Sequence, residues 1–158
     1  MFRDRRHSRA ALIIVALVAS LVAVGCLPPY STRKAQVDVN VFHSTLSQFQ
    51  GKYHSSSYRS NPSYSWMDFT NDGCSNSPDS VPFVYNFTHP CHHHDYGYRN
   101  YKRLNRDYPS YGVWNETLRS WVDSVFLSDM RSTCSGATYT QCIQTAQVFY
   151  QFVRLFGS

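Results

Sequence analysis

The chain has 158 residues, of which 42% are hydrophobic and 16% aromatic, enough for one packed domain. This aromatic content argues against intrinsic disorder, which needs few aromatic side chains and a high net charge. The formal net charge is +5, and much of the positive excess lies within the first 25 residues. The remaining charge is too small and too dispersed to indicate a nucleic-acid-binding protein, so we expect no nucleic-acid partner.

The N-terminus has the pattern of a signal peptide, which we place at residues 1–25. A basic stretch precedes an apolar run from Ala10 to Val24, which is shorter than the ~20 residues of a membrane-spanning helix. An uncleaved membrane anchor is the alternative. The segment Ala23-Val24-Gly25-Cys26 also resembles a bacterial lipoprotein site, at which Cys26 would be acylated. We therefore predict a secreted, extracellular protein and leave open an anchor to a surface through the N-terminus.

Cysteine use agrees with export. Besides Cys26, the chain has four cysteines: Cys74, Cys91, Cys134 and Cys142. An even number in an exported domain predicts two disulfides, and four cysteines allow three pairings. We favour the pairing with the shortest loops, Cys74 with Cys91 and Cys134 with Cys142.

The hydrophobic pattern predicts an all-α fold, a small disulfide-stapled helical domain at residues 36–158 after a flexible segment at 26–35. Apolar residues recur at helical spacing over four segments: Gln36 to Phe49, Pro90 to Asn105, Val113 to Ser132 and Thr140 to Phe156. No segment has a convincing strand pattern.

Two loops separate these helices. Residues 70–82 are dense in Asn, Asp, Gly, Ser and Pro, which is typical of a loop, and residues 52–65 indicate a loop or a short helical turn. The short turn with Pro109 and Gly112 makes the two long helices on either side of it antiparallel neighbours.

A run of three histidines and an aspartate, His92-His93-His94-Asp95, lies in the second predicted helix. Successive side chains on a helix diverge by about 100°, so the three histidines cannot all bind one ion. A zinc site on one helix uses ligands at i and i+4, which this run does not provide. At most one of the three points into a site, and the alternative is a polar helix end without a function.

Carboxylates near this run favour a site for a hard cation. A Cys74–Cys91 disulfide would clamp the loop with Asp72 and Gly73 against the start of the histidine-bearing helix. Asp72 would then approach Asp95 on the first turn of that helix. Two carboxylates and a backbone carbonyl near the glycine supply oxygen ligands, which calcium prefers.

Asp123 is a second candidate, since it lies among apolar residues on the next predicted helix. If that helix packs antiparallel, the Asp123 carboxylate can bind the far imidazole nitrogen of His94. A buried aspartate is rarely left unpaired, whereas the alternative is a charge on the helix surface.

At these residues the sequence resembles the secreted phospholipase A2 of bacteria and fungi, the small helical type. The family signature reads roughly Asp-x-Cys and then Cys-x-Arg-His-Asp-Phe-Gly-Tyr-Arg-Asn-Tyr. Here residues 72–74 read DGC and residues 91–101 read CHHHDYGYRNY. Residues 122–130 and 149–157 are similar to the family as well. The chain departs at His93, where Arg is usual, and this puts any role of that Arg in doubt.

The resemblance implies a calcium-dependent phospholipase A2 that hydrolyses the sn-2 acyl ester of glycerophospholipids. His94 would be the general base that activates water, and Asp123 would orient its ring. Asp72, Asp95 and a main-chain carbonyl near Gly73 would hold Ca²⁺, which stabilises the oxyanion. The chain has no Gly-x-Ser-x-Gly motif, which agrees with attack by water.

The resemblance also implies a substrate presented at a phospholipid membrane or micelle surface, and we expect a monomer. A basic stripe of Arg99, Lys102, Arg103 and Arg106 either attracts an anionic lipid surface or is a solvated helix face. The aromatic residues of the preceding loop either lie at the lipid interface or pack on the core. These are Tyr53, Tyr58, Tyr64 and Trp66.

Two other functions remain open. The first is a phospholipase-like lipid-binding or toxin-like protein that has lost activity, although His94, Asp95 and Asp123 together argue against it. The second is a histidine-rich, metal-binding secreted protein. It predicts tight zinc or copper binding without esterase activity.

Overall fold

The computed structural model describes residues 29–74 and 85–157, and within these ranges the protein is all-α. The predicted signal peptide and Cys26 lie outside the described residues. The helices are α1 (Tyr30–Phe42), α2 (Leu46–His54), α3 (Ser56–Ser60), α4 (Thr88–Asp107), α5 (Glu116–Thr133) and α6 (Tyr139–Phe156). Single 3₁₀ turns at Pro109–Tyr111 and Gly136–Thr138 precede α5 and α6.

The first predicted helix is in fact two helices. The chain is already helical from Tyr30, inside the segment predicted to be a flexible lead-in, and α1 ends at Phe42. Thr45 then caps α2: its hydroxyl accepts from the Gln48 amide, and the Gln48 side chain accepts from the Thr45 amide. This capping box starts a new helix, while the apolar periodicity continues across the break and hides it.

The central helix, α4, begins at Thr88, earlier than the sequence pattern predicts. Pro90 lies in its first turn, where a proline is tolerated because its missing N–H would have no partner there. Asp95 therefore lies in the second turn and not in the first.

Helices α4 and α5 are antiparallel, as predicted. His94 contacts Phe126 near one end of the pair, and Asn105 accepts a hydrogen bond from the Trp114 amide near the other. The helices approach closely at Gly97, where an added Cβ would lie 2.8 Å from a Val122 methyl group. A glycine at this position thus lets the two helices pack face to face.

Both predicted disulfides are present. Cys74 joins the loop after α3 to the first turn of α4, and its Cα lies 5.5 Å from that of Cys91. Cys134 and Cys142 bridge the turn between α5 and α6. The first disulfide holds the Asp72 loop against the histidine-bearing helix, which is the arrangement that the sequence predicted.

The aromatic residues of the α2–α4 connection pack on the core. Trp66 is buried, its indole N–H donates to Gln36, and the Arg33 guanidinium lies 4.7 Å from its ring. The rings of Tyr58 and Tyr64 stack on each other at 4.4 Å. These contacts favour the core interpretation of the aromatic loop. Among the described helices, none is both long and apolar enough to cross a membrane.

Candidate active site

His94 on α4 and Asp123 on α5 form a hydrogen-bonded pair. The Nε2 atom of His94 lies 2.8 Å from Oδ1 of Asp123. Asp123 is fully buried. Because a carboxylate only accepts, Nε2 carries the proton in the neutral ring. Nδ1 is then the unprotonated nitrogen, and it has no hydrogen-bond partner among the described residues.

Two further side chains bind the Asp123 carboxylate. The Tyr98 hydroxyl donates to Oδ1 at 2.7 Å, and Arg154 on α6 donates from Nη1 to Oδ2 at 2.7 Å. Burial alone would raise the pKa of Asp123. The hydrogen bonds from His94, Arg154 and Tyr98 outweigh it, so that its pKa lies below the usual range. Asp123 is therefore an anion at neutral pH.

Arg119 links the C-terminal helix, α6, to the side chains around Asp123. Its Nε donates to the Tyr98 hydroxyl at 3.1 Å, and its Nη2 donates to the carbonyls of Val153 and Arg154. Arg154 also pairs with Glu116 on α5. Helices α4, α5 and α6 thus meet at one buried carboxylate.

Asp72, Gly73 and Asp95 line the same cleft as His94. The Asp72 amide donates to Oδ2 of Asp95 at 3.0 Å, and Gly73 has the positive φ of 70° that favours glycine. Burial, with the nearby Asp72, raises the pKa of Asp95 to about 7. A bound cation would relieve the cost of charging this carboxyl, and oxygen donors suit calcium. The residues therefore fit a calcium ion.

The other two histidines of the run point elsewhere. His93 is buried, with Nδ1 2.7 Å from Asp129 Oδ2 and Nε2 2.9 Å from the Asn40 carbonyl oxygen. Both partners only accept, so the ring satisfies both contacts only when both nitrogens carry protons. His92 stacks on Tyr53 at 4.8 Å. Of the three histidines in the run, His94 alone lines the cleft that also contains Asp72 and Asp95.

His94 lines an open cleft of about 340 Å³. The lining combines apolar and charged side chains. The apolar ones are Phe126, Phe149, Phe152 and Val153. The charged ones are Asp72, Asp95, Arg99 and Lys102, and Arg99 lies 3.4 Å from Asp72. The cleft thus offers contacts both to an apolar chain and to charged groups.

Sequence reasoning missed three residues of this site: Tyr98, Arg119 and Arg154. Tyr98 stands within the segment 91–101 that carries the resemblance, and Arg154 stands within 149–157. Both could have been singled out as polar residues on predicted helices within the segments that resemble the family. Arg119 lies outside both segments, and no pattern in the sequence pointed to it.

The chain is similar in sequence to known phospholipases A2. The family model described as prokaryotic phospholipase A2 matches residues 37–157. A protein of Arthroderma benhamiae named secretory phospholipase A2 is 35% identical over 155 residues, covering 92% of this chain and 94% of its own length. A protein of the same name from Beauveria bassiana is 33% identical over 101 residues, 63% of this chain and 49% of its own length. The chain therefore belongs to the prokaryotic phospholipase A2 family of enzymes.

Proposed function

We propose that the protein is a secreted, calcium-dependent phospholipase A2 that hydrolyses the sn-2 acyl ester of glycerophospholipids with a water molecule activated by His94. The observation that carries the proposal is the 2.8 Å contact between His94 Nε2 and Asp123 Oδ1 in the cleft that His94 lines. Secretion is supported by the signal-peptide pattern of residues 1–25 and by the names of the two fungal relatives.

The pair acts as a general base and its orienting partner. Nδ1 of His94 takes a proton from water while the water oxygen attacks the ester carbonyl carbon. Asp123 holds the ring through Nε2–H and stabilises the imidazolium that forms. The proton then passes from Nδ1 to the leaving alkoxide oxygen. A lysophospholipid and a free fatty acid result, and His94 is neutral again.

Asp72, Asp95 and the main-chain carbonyl of Gly73 would hold the calcium ion. When bound there, calcium polarises the ester carbonyl and balances the negative charge that develops on its oxygen. The Cys74–Cys91 disulfide fixes the loop that carries Asp72 and Gly73. The chain thereby positions two of the three ligands with one covalent bond.

The lining of the cleft suits a substrate that carries both an acyl chain and a phosphate. Phe126, Phe149 and Phe152 in the lining offer contact for the acyl chain, while Arg99 and Lys102 offer positive charge for the phosphate. The other two members of the predicted basic stripe, Arg103 and Arg106, do not line the cleft and both pair with Asp107. The stripe therefore contributes to substrate binding through its first two members.

The site needs no second chain, since every residue of the proposed machinery comes from one. We therefore propose a monomer that works at the surface of a phospholipid membrane or micelle. Leu155 and Phe156, which follow the cleft residues Phe152 and Val153 on α6, are exposed apolar side chains. They are suited to contact lipid beside the cleft.

The test is product analysis of a phospholipid that is labelled differently at its two acyl positions. The purified protein is expected to release the sn-2 label alone, to stop in a calcium-selective chelator and to recover with calcium but not with zinc. His94→Gln is the inactive control. Release of the sn-1 label, or full activity in chelator, would contradict the proposal.

A further inference from the structure

A second group of histidines lies outside the cleft, where α2 meets the first turns of α4. His54 ends α2, and His89 and His92 lie three residues apart on α4, which places them on one helix face. The ring centres of His54 and His89 are 6.3 Å apart, and those of His89 and His92 are 6.2 Å apart. His92 and His94 diverge by about 200° around the helix, so the group faces away from the catalytic pair.

The backbone around this group is held in place. The Gln50 side chain donates to the His89 carbonyl at 3.2 Å, and Phe49 stacks on His93 at 4.2 Å. These contacts join α2 to α4 at the level of the histidines. His54 and His89 are exposed, and their side chains can rotate without disturbing the core.

The three imidazoles lack the partners that buried or clustered histidines usually have. Among the described residues, no ion pair joins any of them to a carboxylate, in contrast to His93 and His94. Nδ1 of His92 is buried without a hydrogen-bond partner. Burial, and then repulsion from His89 and His54, lower the pKa of His92.

A set of neutral imidazole nitrogens selects ions such as zinc, copper or nickel, and not calcium. With zinc about 2.0–2.1 Å from each nitrogen, two rings on one ion lie about 5 Å apart centre to centre. The described part of the chain has no group of three ligands already close enough to hold a metal. The His54–His89 and His89–His92 ring centres must therefore each come about 1 Å closer, which rotation of the exposed His54 and His89 side chains allows.

We propose that His54, His89 and His92 bind one zinc-like transition-metal ion that clamps the end of α2 to the start of α4, separately from the catalytic cleft. Water completes the tetrahedral coordination. The N-terminal end of α4 disfavours a cation, and the site has no carboxylate. We therefore expect micromolar affinity and not the tighter binding of a fully enclosed site.

Zinc titration by calorimetry tests the proposal on purified protein without a polyhistidine tag. All variants carry His94→Gln, so that zinc binding at the catalytic imidazole does not contribute. His54→Gln and His89→Gln each remove one proposed ligand from an exposed position. His43→Gln is the matched control, because it removes an exposed histidine from the turn between α1 and α2.

The parent and the His43→Gln control are expected to bind one zinc ion per chain and to gain in thermal unfolding midpoint when zinc is added. His54→Gln and His89→Gln should each bind zinc at least tenfold more weakly and lose the zinc-dependent gain. Absence of zinc binding in the parent would overturn the proposal. Equal affinity in the parent and in both ligand variants would overturn it as well.

Discussion

Arg154 donates a hydrogen bond of 2.7 Å to Asp123, so that the last turn of α6 completes the surroundings of a carboxylate on α5. Asp123 is fully buried, and its two carboxylate oxygens accept hydrogen bonds from His94, Tyr98 and Arg154. A buried carboxylate with this many donors stays ionised and fixed in direction. The orientation of the His94 ring therefore depends on the docking of the C-terminal helix.

Replacement of His94 by Gln is expected to lower turnover at least a hundredfold, the scale of a lost general base, and to leave the fold intact. Asp123→Asn should lower turnover less, since it keeps the shape of the partner. His92→Gln is the matched control, because His92 faces away from the cleft. Turnover is measured on phospholipid vesicles and helix content by circular dichroism. If His92→Gln proved as damaging, the assignment within the histidine run would be wrong.

Loss of Arg154 is expected to act on turnover and not on substrate binding. Arg154→Gln removes the donor to Asp123 Oδ2, so the carboxylate loses part of its fixed direction and its pKa rises. We expect kcat to fall about tenfold with little change in KM, and the acidic limb of the pH–rate profile to move to higher pH. Arg106→Gln is the matched control, because among the described residues this exposed arginine pairs only with the neighbouring Asp107. An unchanged pH profile in Arg154→Gln would contradict a positioning role.

The elements of the fold that local patterns encode could be predicted from the sequence. The spacing of apolar residues located α4, α5 and α6 within a few residues. The cysteine count predicted two disulfides, and the preference for the shortest loops predicted their pairing. The break between α1 and α2 was missed because Thr45 and Gln48 are ordinary polar residues until a cap forms between them.

The candidate site also has one part that local patterns predict and one part that they do not. His94, Asp95 and Asp72 lie in short motifs, and these motifs carry the resemblance to a family. Arg119 and Arg154 join the site through tertiary contacts of α5 with α4 and of α6 with α5, and the position of a residue along the chain does not show such contacts. Residues that act through tertiary packing are therefore the part that the sequence left out.

His93 is predicted to matter for stability and not for chemistry. His93→Leu leaves Asp129 buried without its partner, and breaking a buried pair in this way costs about 3–5 kcal/mol of unfolding free energy. His93→Arg should cost less, because a guanidinium can donate both to Asp129 and to the Asn40 carbonyl. Urea unfolding of the two variants checks the order. Equal stability of His93→Leu and the parent would show that the pair contributes nothing.

The ionised form of Asp123 should make the protein less stable in acid. Its pKa is lower in the folded protein than the value near 3.9 of an unfolded chain, so on acidification the unfolded state binds the proton first. The stabilising contribution is complete above about pH 5 and is lost as pH falls through the folded pKa.

The comparison with Asp123→Asn isolates this contribution. The difference in unfolding free energy between parent and variant should be large at pH 6 and should shrink at pH 3. Urea unfolding at both values measures it, and the carboxylates common to the two proteins cancel. A difference that does not depend on pH would contradict ionisation of Asp123.

The two disulfides are predicted to have different roles. Replacing Cys74 and Cys91 by Ser should cost about 2–5 kcal/mol of stability, the usual loss for a small exported domain, and should also weaken calcium binding. The second effect arises because this bridge holds the loop with Asp72 beside Asp95, whose carboxylate accepts from the Asp72 amide.

The pair Cys134 and Cys142 is the matched control, because it bridges the turn between α5 and α6, outside the proposed calcium site. Its replacement by Ser should lower the free energy of unfolding and leave calcium affinity unchanged. Calorimetric titration with calcium, at a temperature where both double variants are folded, separates the two effects. Equal calcium affinity in the two variants would mean that the Asp72 loop keeps its position without the bridge, and the role assigned to Cys74–Cys91 would then be wrong.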